Sequence, residues 1–155
     1  MGPIERLRFF EGQLLSAQDF QAEQQYHMEK RRMHNRMLLG FGVADGLSVS
    51  IDGSGTAVLI TPGLALDPHG NEILVESPVC VDLGVSTSDV CFVAIEFTET
   101  ASDPVPGPNG PEFSRVKEGY AVSVALEDPP VGLARLIRME ERWSVDETYC
   151  LRRVR

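Results

Sequence analysis

Between Ala17 and about Leu39 the chain has neither proline nor glycine, and from Phe41 onward its apolar residues follow a period of two broken by Gly and Pro. No other feature restricts the fold as strongly, because a helical period of 3.6 and a strand period of 2 demand different elements. The first segment is dominated by Ala, Gln, Glu, Met, Lys and Arg, all good helix formers. Ser16-Ala-Gln-Asp19 supplies a start, since the serine hydroxyl can accept from an orphan amide while the aspartate reaches back. Asp19, Glu23 and Glu29 precede Lys30, Arg31, Arg32 and Arg36, an order that suits the helix dipole, and Gly40 supplies the stop. Some 23 residues at 1.5 Å each give a rod of about 34 Å. Ahead of it, an extended arm with a turn at Glu11-Gly12 carries Ile4, Leu7, Phe9 and Phe10.

The rod is polar for its length. Phe20, Ala22, Tyr26, Met28, Met33, Met37, Leu38 and Leu39 make a broken apolar stripe until the last turn. A helix of this kind is held by charge pairs or by a partner outside the chain.

After Gly40, Leu47, Val49 and Ile51 alternate with polar residues, and Asp52-Gly-Ser-Gly55 predicts a hairpin into Thr56–Thr61. Pro62-Gly63 breaks that strand, and Pro68-His-Gly-Asn71 predicts a tight turn between Leu64–Asp67 and Glu72–Glu76. Further strands are predicted at Val79–Asp82, Val90–Thr98, Gly119–Leu126, Val131–Met139 and Thr148–Arg152, with Val90–Phe97 central and covered on both faces. Residues 100–112 hold four prolines and read as a long exposed loop. The expectation is a mainly β chain: residues 1–40 as arm and helix, residues 41–155 as an antiparallel β-sandwich or partly open barrel of about eight strands.

With 155 residues the chain is the size of one domain, and no apolar run approaches the roughly 20 residues that span a bilayer. No apolar leader follows Met1, so a membrane or conventionally secreted protein is not expected. The formal charge of −9 argues against nucleic acid as a partner. That charge is uneven. Residues 1–40 carry six bases and five acids, a balance of +1, which leaves −10 on the other 115 residues, so the Lys30–Arg32 and Arg36 cluster is expected to dock on the acidic surface of another copy or a partner. Cys80, Cys91 and Cys150 are odd in number and lack CxxC spacing, so they read as buried, reduced thiols.

Candidate chemistry is sparse. His27 and His34 share a helix face but lie about 10.5 Å apart, too far to chelate one ion. A metal on a symmetry axis, ligated by one histidine from each copy, is the only metal option they leave, and His69 falls in a turn. Asp67 and Glu72 flank that turn as a carboxylate pair, although acids at strand ends more often cap turns. Asp103 and Glu112 bracket the Pro/Gly segment, where calcium is conceivable. No nucleophile motif and no phosphate-cradling glycine loop occurs. No catalytic residue, cofactor or metal site is assigned.

Three blocks resemble a known family. Phe10-Glu-Gly-Gln-Leu-Leu-Ser16, Tyr26-His27, His34-Asn35-Arg36 and Phe41-Gly-Val43 form the first, and Pro62–Val75 with its Asp67, Gly70 and Glu72 the second. Asp103-Pro-Val-Pro106 with Pro111-Glu-Phe-Ser-Arg115 is the third. Their order resembles a family of small baseplate- or tail-associated proteins of contractile, phage-tail-like injection systems. The opening block is also similar to the N-terminal shell domain of the type VI secretion baseplate adaptor, a β-sandwich.

The resemblance implies a non-catalytic structural component, a baseplate or fibre-attachment adaptor, cytoplasmic and built into a tail-like particle. It favours a homo-oligomer, a trimer in preference, that meets other tail or baseplate subunits. The residues expected at interfaces are Arg6, Phe9, Phe10, Leu14, Phe20, Tyr26, His27, Arg31, His34 and Arg36. The arm mixes phenylalanine with arginine, a composition enriched at interface anchors. The alternative is a small ligand-binding or enzymatic β-barrel, which would show a deep pocket lined by convergent acids or histidines.

Overall fold

The computed structural model describes residues 5–84, 88–140 and 142–155. Ile4, placed in the arm above, lies outside them. Helix α1 spans Ala17–His34 and runs directly into one π-helical turn, Asn35–Leu39, so the helical stretch has the expected length. The Ser16 hydroxyl accepts from the Asp19 amide at 3.3 Å while the Asp19 carboxylate accepts from the Ser16 amide at 2.8 Å. Gly40, at φ +78°, closes the last turn by donating to the Asn35 carbonyl.

Among the described residues ten strands follow: β1 Gly42–Gly46, β2 Val49–Ile51, β3 Ala57–Ile60, β4 Gly63–Leu66, β5 Glu72–Val75, β6 Val79–Asp82, β7 Val90–Gly107, β8 Gly110–Ala125, β9 Gly132–Met139 and β10 Arg142–Val145. They form three antiparallel sheets, ordered β1-β4-β5, β2-β3-β6 and β10-β9-β7-β8. The first two sheets are halves of one bent hairpin, β1–β2 running out and β3–β4 running back. At the corner Leu47, fully buried at φ +54°, donates its N–H to the Pro62 carbonyl at 3.2 Å. Gly63 permits the bend, because a Cβ there would lie 2.3 Å from the Asp45 carbonyl oxygen.

The bent hairpin packs against the four-stranded sheet. Val43, Leu47, Val58, Ile60, Ile73 and Val75 on one side and Cys91, Val93, Ile95, Leu133, Leu136 and Trp143 on the other share one buried cluster. The sheets do not close into a barrel, and the architecture is a β-sandwich. The Val90–Phe97 part of β7 is central, between β8 and β9. Its inner face is core, but the outer face, expected to be covered, is only partly so: Phe92 meets Tyr149 edge-on at 5.9 Å, while Val90 and Glu96 are exposed.

Several expectations require correction. Residues 100–112 are not a loop, because β7 and β8 continue through them as a two-stranded ribbon to Gly107 and Gly110. Pro106 faces Pro111, and Pro104 lies two residues along, opposite Phe113. In an antiparallel ladder every second pair makes no N–H···O bonds, so prolines spaced in this way lose none. Thr148–Arg152 is not a strand: Asp146 caps a turn by accepting from the Thr148 amide at 2.9 Å. The tail then meets β1 through a single parallel bridge, Val43 to Arg153. The last strand is instead β10, around Trp143. Of the cysteines only Cys91 is buried; Cys80 and Cys150 are exposed. Period two explains Cys80, since Val79 and Val81 take the inward positions of β6.

Candidate docking surface of the arm and helix

The interface residues expected from sequence divide into two groups. Those of the arm and of the helix up to His27 face solvent or are partly covered by near neighbours. Phe9, Phe10, Leu14 and Phe20 are 54%, 67%, 93% and 59% exposed, and Arg6 is exposed beside them. Within the arm one turn is closed where Gln13 donates its backbone amide to the Phe10 carbonyl and its side-chain oxygen accepts from the Phe10 amide. Tyr26 is half-buried and contacts the His27 ring edge-on at 5.3 Å, while the exposed His27 pairs with Glu23 at 3.0 Å. No residue of α1 is buried.

The second group turns toward the chain's own sandwich. Arg31 lies 3.7 Å from Glu72 and 4.0 Å from Glu118, and Arg36 donates to the His69 carbonyl at 2.6 Å. His34, between them, is exposed. The bases that were expected to reach a neighbouring acidic surface therefore meet acids and carbonyls of their own domain.

The seat of the helix is built largely by residues outside that expected set. Asn35, only 5% exposed, donates from Nδ2 to the Gly70 carbonyl at 2.9 Å and to Glu72 at 3.2 Å. Arg32 donates from Nε to the Asn71 side-chain oxygen at 2.6 Å and approaches Glu99 at 3.3 Å. Gly70, at φ +87°, lets the turn touch the helix, since a Cβ there would fall 2.3 Å from the Arg32 carbonyl oxygen. Asp67 holds the turn from beneath: its carboxylate accepts from the His69 amide, the Asn71 amide and the Asn71 side chain at 2.7–2.8 Å. With those bonds made, Asp67 is a turn cap and its carboxylate is spent on the backbone. The signal for this joint lay in two quoted blocks, His34-Asn35-Arg36 and Asp67–Glu72, whose side chains meet across the fold.

The C-terminal tail completes the seat. Val43 donates to the Arg152 carbonyl at 2.8 Å, Arg155 donates to the Leu39 carbonyl at 2.9 Å, and the Arg152 guanidinium lies 4.2 Å from the centre of the Phe41 ring. Nearby, a cleft of about 390 Å³ is open to solvent and lined by Glu29, Arg32, Arg36, His69, Asn71, Phe97 and Glu99. Its charges alternate in sign, and its arginines are engaged with Asn71, Glu99 and the His69 carbonyl. Among the described residues no group of three or more His, Cys, Asp or Glu could hold a metal ion. No helix among them is long and apolar enough to cross a membrane.

No family model matches the sequence, and no curated protein matches it. Solved structures do. A chain of the type VI secretion system TssK-TssF-TssG baseplate subcomplex, determined by cryo-electron microscopy, superposes with a TM-score of 0.62 at 18% identity over 96% of this chain. A chain of the baseplate complex from the type VI secretion system gives 0.59 at 16% identity over 97% of it. TssK from the EAEC type VI secretion system, in complex with nanobody nb18, gives 0.53 at 18% identity over 85%. The chain spans 62%, 60% and 54% of the lengths of these three. At such identities the likeness establishes a shared fold, and it takes in nearly the whole chain, helix and sandwich together.

Proposed function

We propose that this chain is a non-catalytic structural component of a contractile, phage-tail-like injection apparatus, placed at the baseplate as an adaptor or fibre-attachment subunit. In this reading residues 1–40 are the assembly segment and residues 41–155 the sandwich that carries it. Arg6, Phe9, Phe10, Leu14, Phe20, Tyr26, His27 and His34 form the contact surface, while Arg31 and Arg36 orient it. The partners are other baseplate subunits and further copies of the chain, assembled in the cytoplasm.

The observation that carries the reading is the fold shared with chains of two type VI secretion baseplate structures over 96% or more of this chain. The arm supports it: apolar side chains held outside the core in this number mark contact surfaces. The cleft beside the helix is open to solvent, and its two acids, Glu29 and Glu99, are both paired with Arg32, an arrangement that favours a structural role over the enzymatic alternative.

The test is co-expression with the sheath, tube and baseplate wedge proteins encoded beside the chain's own gene. A complex that purifies with one or more of them, and is lost on Phe9→Ser/Phe10→Ser substitution, is the expected result. A gene neighbourhood without sheath or tube genes, or a chain that purifies alone from the complete set, would overturn the reading.

A further inference from the structure

The ribbon beyond the sandwich, residues 98–107 of β7 and 110–119 of β8, has a feature at its root that a two-stranded element tolerates poorly. Glu99 and Glu118 are directly opposed in the register. Cross-strand partners have Cβ atoms about 5 Å apart, and like charges so placed weaken the pairing. An isolated ribbon of two strands is already marginal in water. Both glutamates are met from the helix. Arg32 approaches Glu99 at 3.3 Å, and Arg31 approaches Glu118 at 4.0 Å.

These two arginines belong to the turn of α1 that is anchored on the sandwich. Arg32 is also bonded to Asn71, Arg31 is 3.7 Å from Glu72, and Asn35 follows within the π turn. The helix seat and the ribbon root thus share the same two side chains.

We infer that the arginine pair Arg31–Arg32 is the counter-charge that closes the ribbon root, so that docking of the helix and order of the ribbon are one coupled equilibrium. Anything that lifts the last turn of α1 from its seat exposes Glu99 and Glu118 to each other and loosens the pairing of 98–101 with 116–119. By reciprocity, fixing the ribbon favours the seated helix. The coupling follows from intrachain contacts alone and stands whether or not the chain belongs to a baseplate.

The side chains are partly exposed, so the expected effect is modest. Amide hydrogen exchange read by mass spectrometry on the full chain is the suitable measurement, because it reports local opening. Arg31→Gln/Arg32→Gln should speed exchange at 98–101 and 116–119 by roughly three- to tenfold, with β4 and β9 unchanged. Adding Glu99→Gln/Glu118→Gln to that variant should return the root to within about twofold of the original rate, because neutral partners do not repel.

Unchanged exchange in the arginine variant would overturn the inference. So would faster exchange that the glutamine pair fails to restore, since loss of the Arg32–Asn71 bond would then explain the loosening without any role for the opposed acids.

Discussion

Tyr149 shows how a single side chain ties the C-terminal segment to the sandwich. Its hydroxyl donates to Asp128 at 2.7 Å, its ring meets Phe92, and Gly132 leaves it room, since a Cβ there would lie 2.3 Å from the hydroxyl oxygen. Burial, followed by the hydrogen bond to Asp128 and that carboxylate's charge, pushes the phenol up to about 12. An unfolded tyrosine titrates near 10. Below pH 10 both states keep the proton and the stabilisation is whole. Between about 10 and 12 the unfolded chain ionises first, so stability falls as pH rises. Melting temperatures followed from pH 9 to 12 should therefore drop more steeply for the original chain than for Tyr149→Phe, which has no phenol to ionise. Parallel curves would mean that the contact with Asp128 does not distinguish the protonation states.

At the scale of elements, the joint between the π turn and the β4–β5 turn decides how the helix leaves the domain. Asn35→Ala removes both Nδ2 bonds and leaves the Gly70 carbonyl without that donor, at an expected cost of about 1–3 kcal/mol. Gly70→Ala should cost at least as much, because the left-handed φ and the 2.3 Å approach to the Arg32 carbonyl oxygen act together. Urea denaturation of the two variants checks this. Stabilities within about 0.5 kcal/mol of the original for both, the range of ordinary surface substitutions, would show that the seat contributes little.

The extent of the helix was legible from Ser16, Asp19 and Gly40, because capping is a local matter of side-chain reach. The positions of β2 to β6 and of the sandwich parts of β7 to β9 were legible from the period of two, whereas β10 was missed and Thr148–Arg152 misassigned. The ribbon was not, since prolines two residues apart break a ladder or spare it according to register, and register exists only once β7 and β8 have paired. Nor was the burial of Asn35, a polar residue in a polar helix whose environment is set by a turn 35 residues away. The expected interface set was read as one surface for a related reason. Sequence shows that Arg31 and Arg36 are basic, and only the packing of α1 on the sandwich shows that they reach Glu72 and the His69 carbonyl of their own domain.

For the molecule as a whole, those contacts change the physical basis expected for self-association. A basic helix end drawn to the acidic body of another copy would be strongly salt-sensitive. Arg31, Arg32 and Arg36 are instead engaged at home, by Glu72, Glu118, Glu99, Asn71 and the His69 carbonyl. The apolar residues that the first forty residues offer a neighbour, beside the exposed Arg6, include Phe9, Phe10, Leu14 and Phe20, each more than half exposed. Association through them should be driven by burial of that surface, at about 25 cal/mol per Å² before the costs of ordering the arm. It should therefore persist with little change between 0.1 and 0.5 M salt, conditions that screen charges beyond roughly 10 and 4 Å. Light scattering at micromolar concentration should give an oligomer, a trimer if the resemblance to tail components holds. Phe9→Ser/Phe10→Ser/Leu14→Ser should return it to monomer, with a melting temperature equal to that of the original chain diluted until it too is monomeric, because none of the three side chains is part of the core cluster. An oligomer dissolved by salt would restore the electrostatic account and place the contact elsewhere on the chain. A monomer at every salt concentration would exclude self-association through this segment and leave the arm to a different subunit.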